Sequence, residues 1–324
     1  MGGPMDGFAD RWNDPEHYIL GITEAIWEQR GLATLRHWYS DDVIVRSPAG
    51  VVTGNEGVIG ATMATLAEFP DRQLLGEDVI WSDDPDGGFL SSHRIISTAT
   101  HTGDGVYGAA TGATLRYRII ADCAARDDAI HDEWLIRDQG AIVRQLGWDP
   151  KEYAAERIEL EGGRDVASRP FTPATDVVGR YRGTGNDHET GRRHAEILGS
   201  IMSGDLAAIP ARYDRAAHLE LPGGVTAHGW EGADRFWAPL RAAFPTATFT
   251  IHHVIGRDDD GLSPRSALRW SLDGEHSGFG AFGEPTGAHV HVMGLSHAEF
   301  GHDGLRREWV LFDETEIWKQ ILLG

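Results

Sequence analysis

The sequence predicts an α+β chain in which one unit is built twice. In each half, helix-patterned segments come first and strand-patterned segments after, the order of an α+β domain. In addition, "HTGDGVYGAATG" at His101–Gly112 returns as "HSGFGAFGEPTG" at His276–Gly287, 175 residues on, with six of twelve positions identical. The same spacing joins Pro70 to Pro245, Val79-Ile80 to Val254-Ile255, Arg94 to Arg269 and Trp134 to Trp309. Nearer the start of each half, Tyr39 answers Tyr213 and Pro48 answers Pro222 at a spacing of 174. A match sustained over that distance with one single-residue shift is a tandem duplication.

Taken in order, residues 1–14 read as a loose arm, 15–155 as the first domain, 156–189 as a linker and 190–324 as the second domain. "PEHYILGITEAIWEQRGLATLRHWY" places Ile19, Ile22, Ile26, Leu32 and Leu35 near one helical stripe, with Pro15 suited to a first turn. The second half opens similarly with "HAEILGSIMSGDLAAIPARY". A short strand ("DVIVRSP", "HLELP") leads through a glycine turn into another helix that ends at proline. Strands follow, at 78–82, 90–99, 113–121 and 129–137 and their equivalents. The clusters "SDDPDGG" and "GRDDDG" read as hairpin turns, since the twelfth-position ligand and flanking helices of a calcium loop are missing. Glycines 103, 105, 108, 278, 280 and 283 read as bends in a curved sheet. A phosphate loop would need a helix after them, and a strand follows instead. Between the halves, "SRPFTPATD" sits in a stretch without periodicity.

Composition narrows the partners. A formal charge of −21 over 324 residues repels phosphate backbones and anionic lipid, so nucleic acid and membrane are not expected. Cys123 is the only cysteine, which excludes an internal disulfide or a cysteine-based zinc cluster and fits a cytoplasmic location. No G-x-S-x-G elbow occurs, and the start has neither a charged leader nor an apolar core. Cys123 reads as a small buried residue.

Two opening helices, the tyrosine and glycine turns after them, a third helix ending in "FP", the "H.G.G..G..TG" bend, a strand and a final "EW" strand resemble the SnoaL-like polyketide cyclases of the nuclear transport factor 2-like superfamily. The resemblance implies two tandem cone-shaped α+β barrel domains, each with helices packed in a curved antiparallel sheet and a pocket inside. It also implies a pseudo-dimer formed through the outer sheet faces, with further homo-oligomer formation left open. In the final strand, Trp134 and Ile136, like Trp309 and Leu311, alternate with the inward positions.

The resemblance places a pocket histidine after the "TG" bend, where His291 stands, and an aspartate on the last strand. That aspartate is missing: its place falls at Leu135 and Val310. Two residues earlier, on the same strand face, stand Glu133 and Glu308. The catalytic candidates are therefore Glu308, His291, His289, His276 and Arg269, a set able to shuttle a proton and hold an oxyanion. An interior Arg269–Glu308 ion pair is the competing reading. The candidates for substrate binding are Arg94, His101, Arg116 and Glu133 in the first half and Trp270 in the second. His289 and His291, about 6–7 Å apart on one strand side, could also share a metal, with His276, His252, His218 or Glu308 as third ligand. The expected function is acid-base chemistry without a cofactor on a small, partly apolar molecule, in the cyclase, lyase, isomerase or hydrolase range. The alternatives are a binding module without catalysis and a metal-dependent lyase or hydrolase.

Overall fold

The computed structural model describes residues 3–324. The chain divides into two units: unit 1 comprises 1–148 and 171–185, and unit 2 comprises 149–170 and 186–324. The stretch read as a linker is thus shared out, its first part going with unit 2 and its second with unit 1.

Unit 1 contains α1 (Pro15–Ile26), α2 (Leu35–Trp38), β1 (Tyr39–Ser47), β2 (Gly50–Thr53), α3 (Asn55–Glu68), β3 (Gln73–Asp83), β4 (Phe89–Thr100), β5 (Thr114–Arg126), β6 (Ala129–Arg137) and α4 (Gln139–Gln145). Unit 2 opens with α5 (Pro150–Leu160). It repeats the order as α6 (Glu189–Met202), α7 (Ala208–Arg212), β7 (Tyr213–Leu221), β8 (Val225–His228), α8 (Gly229–Ala243), β9 (Thr248–Arg257), β10 (Arg265–Glu275), β11 (His289–Gly301), β12 (Gly304–Leu311) and α9 (Glu314–Leu323).

The sheets have matching orders, β2-β1-β6-β5-β4-β3 and β8-β7-β12-β11-β10-β9. Each is an open six-stranded sheet, not a closed barrel, and each is mixed, because β1 runs parallel to β6 and β7 parallel to β12. The expectation of a purely antiparallel sheet is corrected at that pair. The first strand of each unit follows two helices and so returns to the sheet running alongside the last strand.

Local signals account for the ends of several helices. Asp14 accepts from the His17 amide ahead of Pro15, and Asp149 accepts from the Lys151 and Glu152 amides ahead of Pro150, so both helices start on a carboxylate cap followed by proline. α5 lies against α9, where Ile158, Ala167 and Leu323 cluster and Lys319 Nζ meets Glu161 at 2.8 Å. The described part of the N-terminal arm is packed rather than loose. Phe8 lies 5.0 Å from Tyr18 and 5.3 Å from Phe89, and Trp12 donates to Asp128 at 3.0 Å.

The glycine-rich segments turn one sheet strand back into the next, as loops joining β4 to β5 and β10 to β11. Each is closed at its base by a histidine, with the His101 amide on Ala113 O and the His276 amide on Ala288 O, both at 2.9 Å. Glycine is required because the loop presses on the end of the preceding helix: a Cβ at Gly103 would collide with Ala67 O, and one at Gly278 with Ala242 O.

Candidate functional site

Unit 1 has a partly open cavity of about 150 Å³ between its helices and the inner face of its sheet. Ile26, Trp27, Leu35, Val45, Val58, Ile95, Ile119 and Leu135 make most of its wall apolar. Besides three threonines, Thr23, Thr62 and Thr65, its polar lining comprises Tyr39 from the start of β1, Arg72 from the turn before β3, His93 from β4, and Glu133 and Arg137 from β6. Strand alternation brings them there. Glu133, Leu135 and Arg137 share one face of β6, and His93 and Ile95 share one face of β4.

Glu133 is buried, and burial pushes its carboxyl up to about 7, partly offset by the Tyr39 hydroxyl that hydrogen-bonds to it. Burial also holds His93 down at about 4, leaving a neutral imidazole at pH 7. Arg72 is 4% exposed. Its guanidinium lies 4.1 Å from the Trp27 ring centroid, its Nε donates to Ser97 Oγ at 3.2 Å, and Nη1 has no hydrogen-bond partner. Burial lowers it to about 10, still charged at pH 7. A half-neutralised carboxyl, a phenol, an imidazole and a guanidinium facing one apolar space can move a proton and stabilise the charge it leaves behind.

Unit 2 keeps two of these groups and replaces the rest. Tyr213 donates to Glu308 Oε2 at 2.8 Å, the counterpart of Tyr39 on Glu133, and burial again pushes the carboxyl up to about 7. At the repeat positions of Thr62, Arg72, His93, Ile95 and Arg137 stand Trp237, Ala247, Leu268, Trp270 and Phe312. Trp237 and Trp270 are fully buried with ring centroids 6.2 Å apart, and Trp237 Nε1 reaches Tyr213 Oη at 3.1 Å. Trp270 lies over Gly294, where a Cβ would collide with its ring, and donates to Ser296 Oγ at 2.9 Å. Indole therefore occupies what is open space in unit 1. Unit 2 has a groove of about 560 Å³ lined by residues including Pro222, Val225, Arg235, Phe236, Phe282 and Phe312, and Glu308 is not in its wall.

A family model described as SnoaL-like polyketide cyclase matches residues 17–146, and one described as SnoaL-like domain matches residues 192–309. The chain is a tandem SnoaL-like protein. Similar solved structures include wild-type IdmH from Streptomyces antibioticus, 26% identical with a TM-score of 0.37, where the match covers 42% of this chain and 100% of that one. A SnoaL-like polyketide cyclase from Agrobacterium tumefaciens is 20% identical (TM-score 0.34, 41% of this chain and 97% of that one). TsrD from Streptomyces laurentii is also 20% identical (TM-score 0.36, with the same coverages). No protein of curated function matches in sequence.

Of the residues singled out in the SnoaL-like sequence, the structure places only Glu133 in the unit 1 cavity. Arg94 lies one residue off the inner face and pairs with Glu77 at 3.1 Å, as does Arg118 at 2.8 Å. Arg116 is exposed, on the other side of β5 from Ile119 and Ala121. His101 is tied into its loop by Thr111 Oγ1 at 3.0 Å and Glu68 Oε1 at 3.3 Å. His276 keeps the threonine contact, to Thr286 at 3.2 Å, while Ala243 stands where Glu68 stood.

The second-half set does not converge either. Glu308 is buried among Tyr213 and Trp237. Arg269 is on the opposite strand face from Leu268 and Trp270 and contacts His253, so no Arg269–Glu308 pair forms. His289 and His291 each donate to Asp273, at 3.1 and 2.8 Å, near the end of the β10–β11 ladder. His252 bonds Ser271 and His218 bonds Glu220, and no group of three or more metal-ligating side chains occurs among the described residues. Trp270 is core packing.

Tyr39, Arg72, His93 and Arg137 were missed. Tyr39 could have been found, since Tyr39 and Tyr213 are among the few residues shared by both halves. Arg72 and Arg137 carried a subtler signal, a charged residue in one SnoaL-like half facing an alanine or a phenylalanine in the other. Among the described residues no helix is long and apolar enough to cross a membrane.

Proposed function

We propose that unit 1 is the working half of this tandem SnoaL-like protein and carries out acid-base chemistry, without a cofactor, on a small and partly apolar carbonyl compound. The observation that carries this reading is the Glu133 carboxyl, poised near 7, on the wall of an apolar cavity that Arg72 also lines. As a carboxylate, Glu133 takes a proton from the carbon next to a carbonyl, and the C–H electron pair moves into the carbonyl. The charge that develops on oxygen is met by the guanidinium of Arg72, which water does not screen in a buried site. Glu133 then returns the proton to a different atom, which gives isomerisation, ring closure or elimination according to the substrate. Tyr39 holds the carboxyl in place, and His93, neutral at pH 7, can accept or donate a hydrogen bond. Unit 2 is a filled copy that keeps the tyrosine–glutamate pair as part of its core.

Deuterium incorporation into a single-ring ketone such as cyclohexanone, followed by NMR in D2O, tests the proposal. The wild type is expected to accelerate exchange, Glu133→Gln to abolish the acceleration, and Glu308→Gln to retain it. Equal rates for wild type and Glu133→Gln would sink it. A second reading, ligand binding without catalysis, draws on Leu135 and Val310 standing where the resemblance expects an aspartate. It is favoured if ligands bind the cavity and exchange stays at the background rate.

A further inference from the structure

The unit 1 cavity contains more positive charge than proton transfer requires. Arg72 and Arg137 both line it, and Arg137 is close enough to push on the charge of Arg72. Each has an N–H without a hydrogen-bond partner, Nη1 in Arg72 and Nε in Arg137, and neither forms an ion pair with an aspartate or glutamate among the described residues. Glu133 does not fill that role, because its carboxyl is governed by burial, Tyr39 and Asp132 rather than by either guanidinium. The remaining neighbours carry no full negative charge: the neutral His93, the hydroxyls of Thr23, Thr62 and Thr65, Ser97 on Arg72 Nε, and Tyr117, whose phenol hydrogen-bonds Arg72.

A guanidinium taken out of water without a counter-charge is costly, and proteins keep one where an anion completes it. Arg72 is such a group, and the half-exposed Arg137 adds a second positive charge beside it, in a chain whose formal charge is −21. In unit 2 both are gone, replaced by Ala247 and Phe312, and so is the open space. The charge and the cavity are thus kept together and lost together.

Resting on the reading of unit 1 as the working half, we infer that its ligand is a small organic monocarboxylate, with the carboxylate between Arg72 and Arg137 and an apolar body against Trp27, Ile95 and Ile119. Guanidinium suits this task because its fork of N–H donors matches the two carboxylate oxygens. The cavity volume of about 150 Å³ fits one ring or a short chain, since a cavity of roughly that size holds a benzene molecule. The substrate class is then a single-ring or short-chain keto acid, its carboxylate fixing the molecule while Glu133 works on the carbon beside the carbonyl.

Calorimetry with matched probes, phenylacetate against phenylacetamide at pH 7, tests the inference on the unmodified protein. The carboxylate is expected to bind at least about tenfold more tightly than the amide. Its affinity should fall with salt, and Arg72→Met should weaken it by about tenfold or more. Arg137→Met, at a half-exposed strand end, serves if Arg72→Met does not fold, with the same loss expected. Equal affinity for the two probes, or carboxylate binding unchanged in a folded arginine variant, overturns the inference. Glu133→Gln separates the two proposals. Carboxylate preference that survives this substitution, with no ketone exchange in the wild type, keeps the anion site and removes the proton transfer. Exchange without carboxylate preference does the reverse.

Discussion

The interiors of the two units differ at a handful of positions around a shared pair. Tyr39 meets Glu133 and Tyr213 meets Glu308, each on a strand beside the parallel β1–β6 or β7–β12 ladder, and both carboxyls are raised to about 7 by burial. Around the first pair stand Thr62, Arg72, His93 and Arg137, leaving room. Around the second stand Trp237, Ala247, Leu268 and Phe312, leaving none. A raised carboxyl is common to both halves and does not by itself tell them apart. What distinguishes the halves is whether a ligand can reach it, and that depends on the size of side chains facing the pair from helices and neighbouring strands.

The largest expected effect falls on catalysis. Glu133→Gln should lower the acceleration of ketone exchange by about 10²-fold or more, the usual loss for a general base, while Glu308→Gln leaves it within about twofold, since Glu308 faces packed indole. A Glu308 effect matching that of Glu133 would break the comparison. Filling the open half comes next. Thr62→Trp, which copies Trp237, should abolish probe binding, and Trp237→Ala should cost about 3–5 kcal/mol of stability in chemical denaturation by leaving a cavity in a packed core.

The pH dependence sharpens the likeness rather than the difference. A carboxyl whose folded pKa is about 7, against an unfolded value of about 4.5, favours the folded state fully below pH 4.5. That stability is lost as pH rises through 7. Glu308→Gln removes the term, so its stability relative to wild type should improve by on the order of 2–3 kcal/mol between pH 4 and pH 8. Denaturation midpoints at the two pH values check this, and an unchanged difference would show that Glu308 ionises normally. Exchange activity should move the opposite way, rising through pH 7 as Glu133 becomes the base. Tyr39→Phe should then shift that activity profile to higher pH, because the hydroxyl favours the ionised carboxyl. The smallest effect belongs to His289, whose exposed contact with Asp273 should be worth less than about 1 kcal/mol; its replacement by alanine should leave exchange unchanged.

Much of the fold was legible because its signals are local or periodic. Pro15 marks a helix start, turn clusters separate strands, and period-two alternation set Glu133 two residues before Leu135 on the inner face of β6, whereas the helix that Asp149 and Pro150 open was not read. The same alternation explains the errors. Arg94 and Arg269 were expected inside, yet His93 and Leu268, one residue earlier, hold the inner face, and a shift of one reverses every side chain on a strand. His289 and His291 stood out because the halves differ there, but strand register sets His291 opposite Asp273 and His289 opposite Glu275. Both rings then turn to the Asp273 carboxylate.

By itself, then, the sequence determined that one α+β unit occurs twice, where most of its helices and strands lie, and that a glutamate on each final strand points inward. These depend on spacing along the chain, which duplication preserves. Only the tertiary structure decided which glutamate faces open space and which arginines share it. Thr62 and Trp237 sit on α3 and α8, some 70 residues before the glutamates they face, and Arg72 reaches the same cavity from a turn. Nothing in their own neighbourhoods marks them, because the volume between packed elements is fixed by side chains that meet only when the chain has folded.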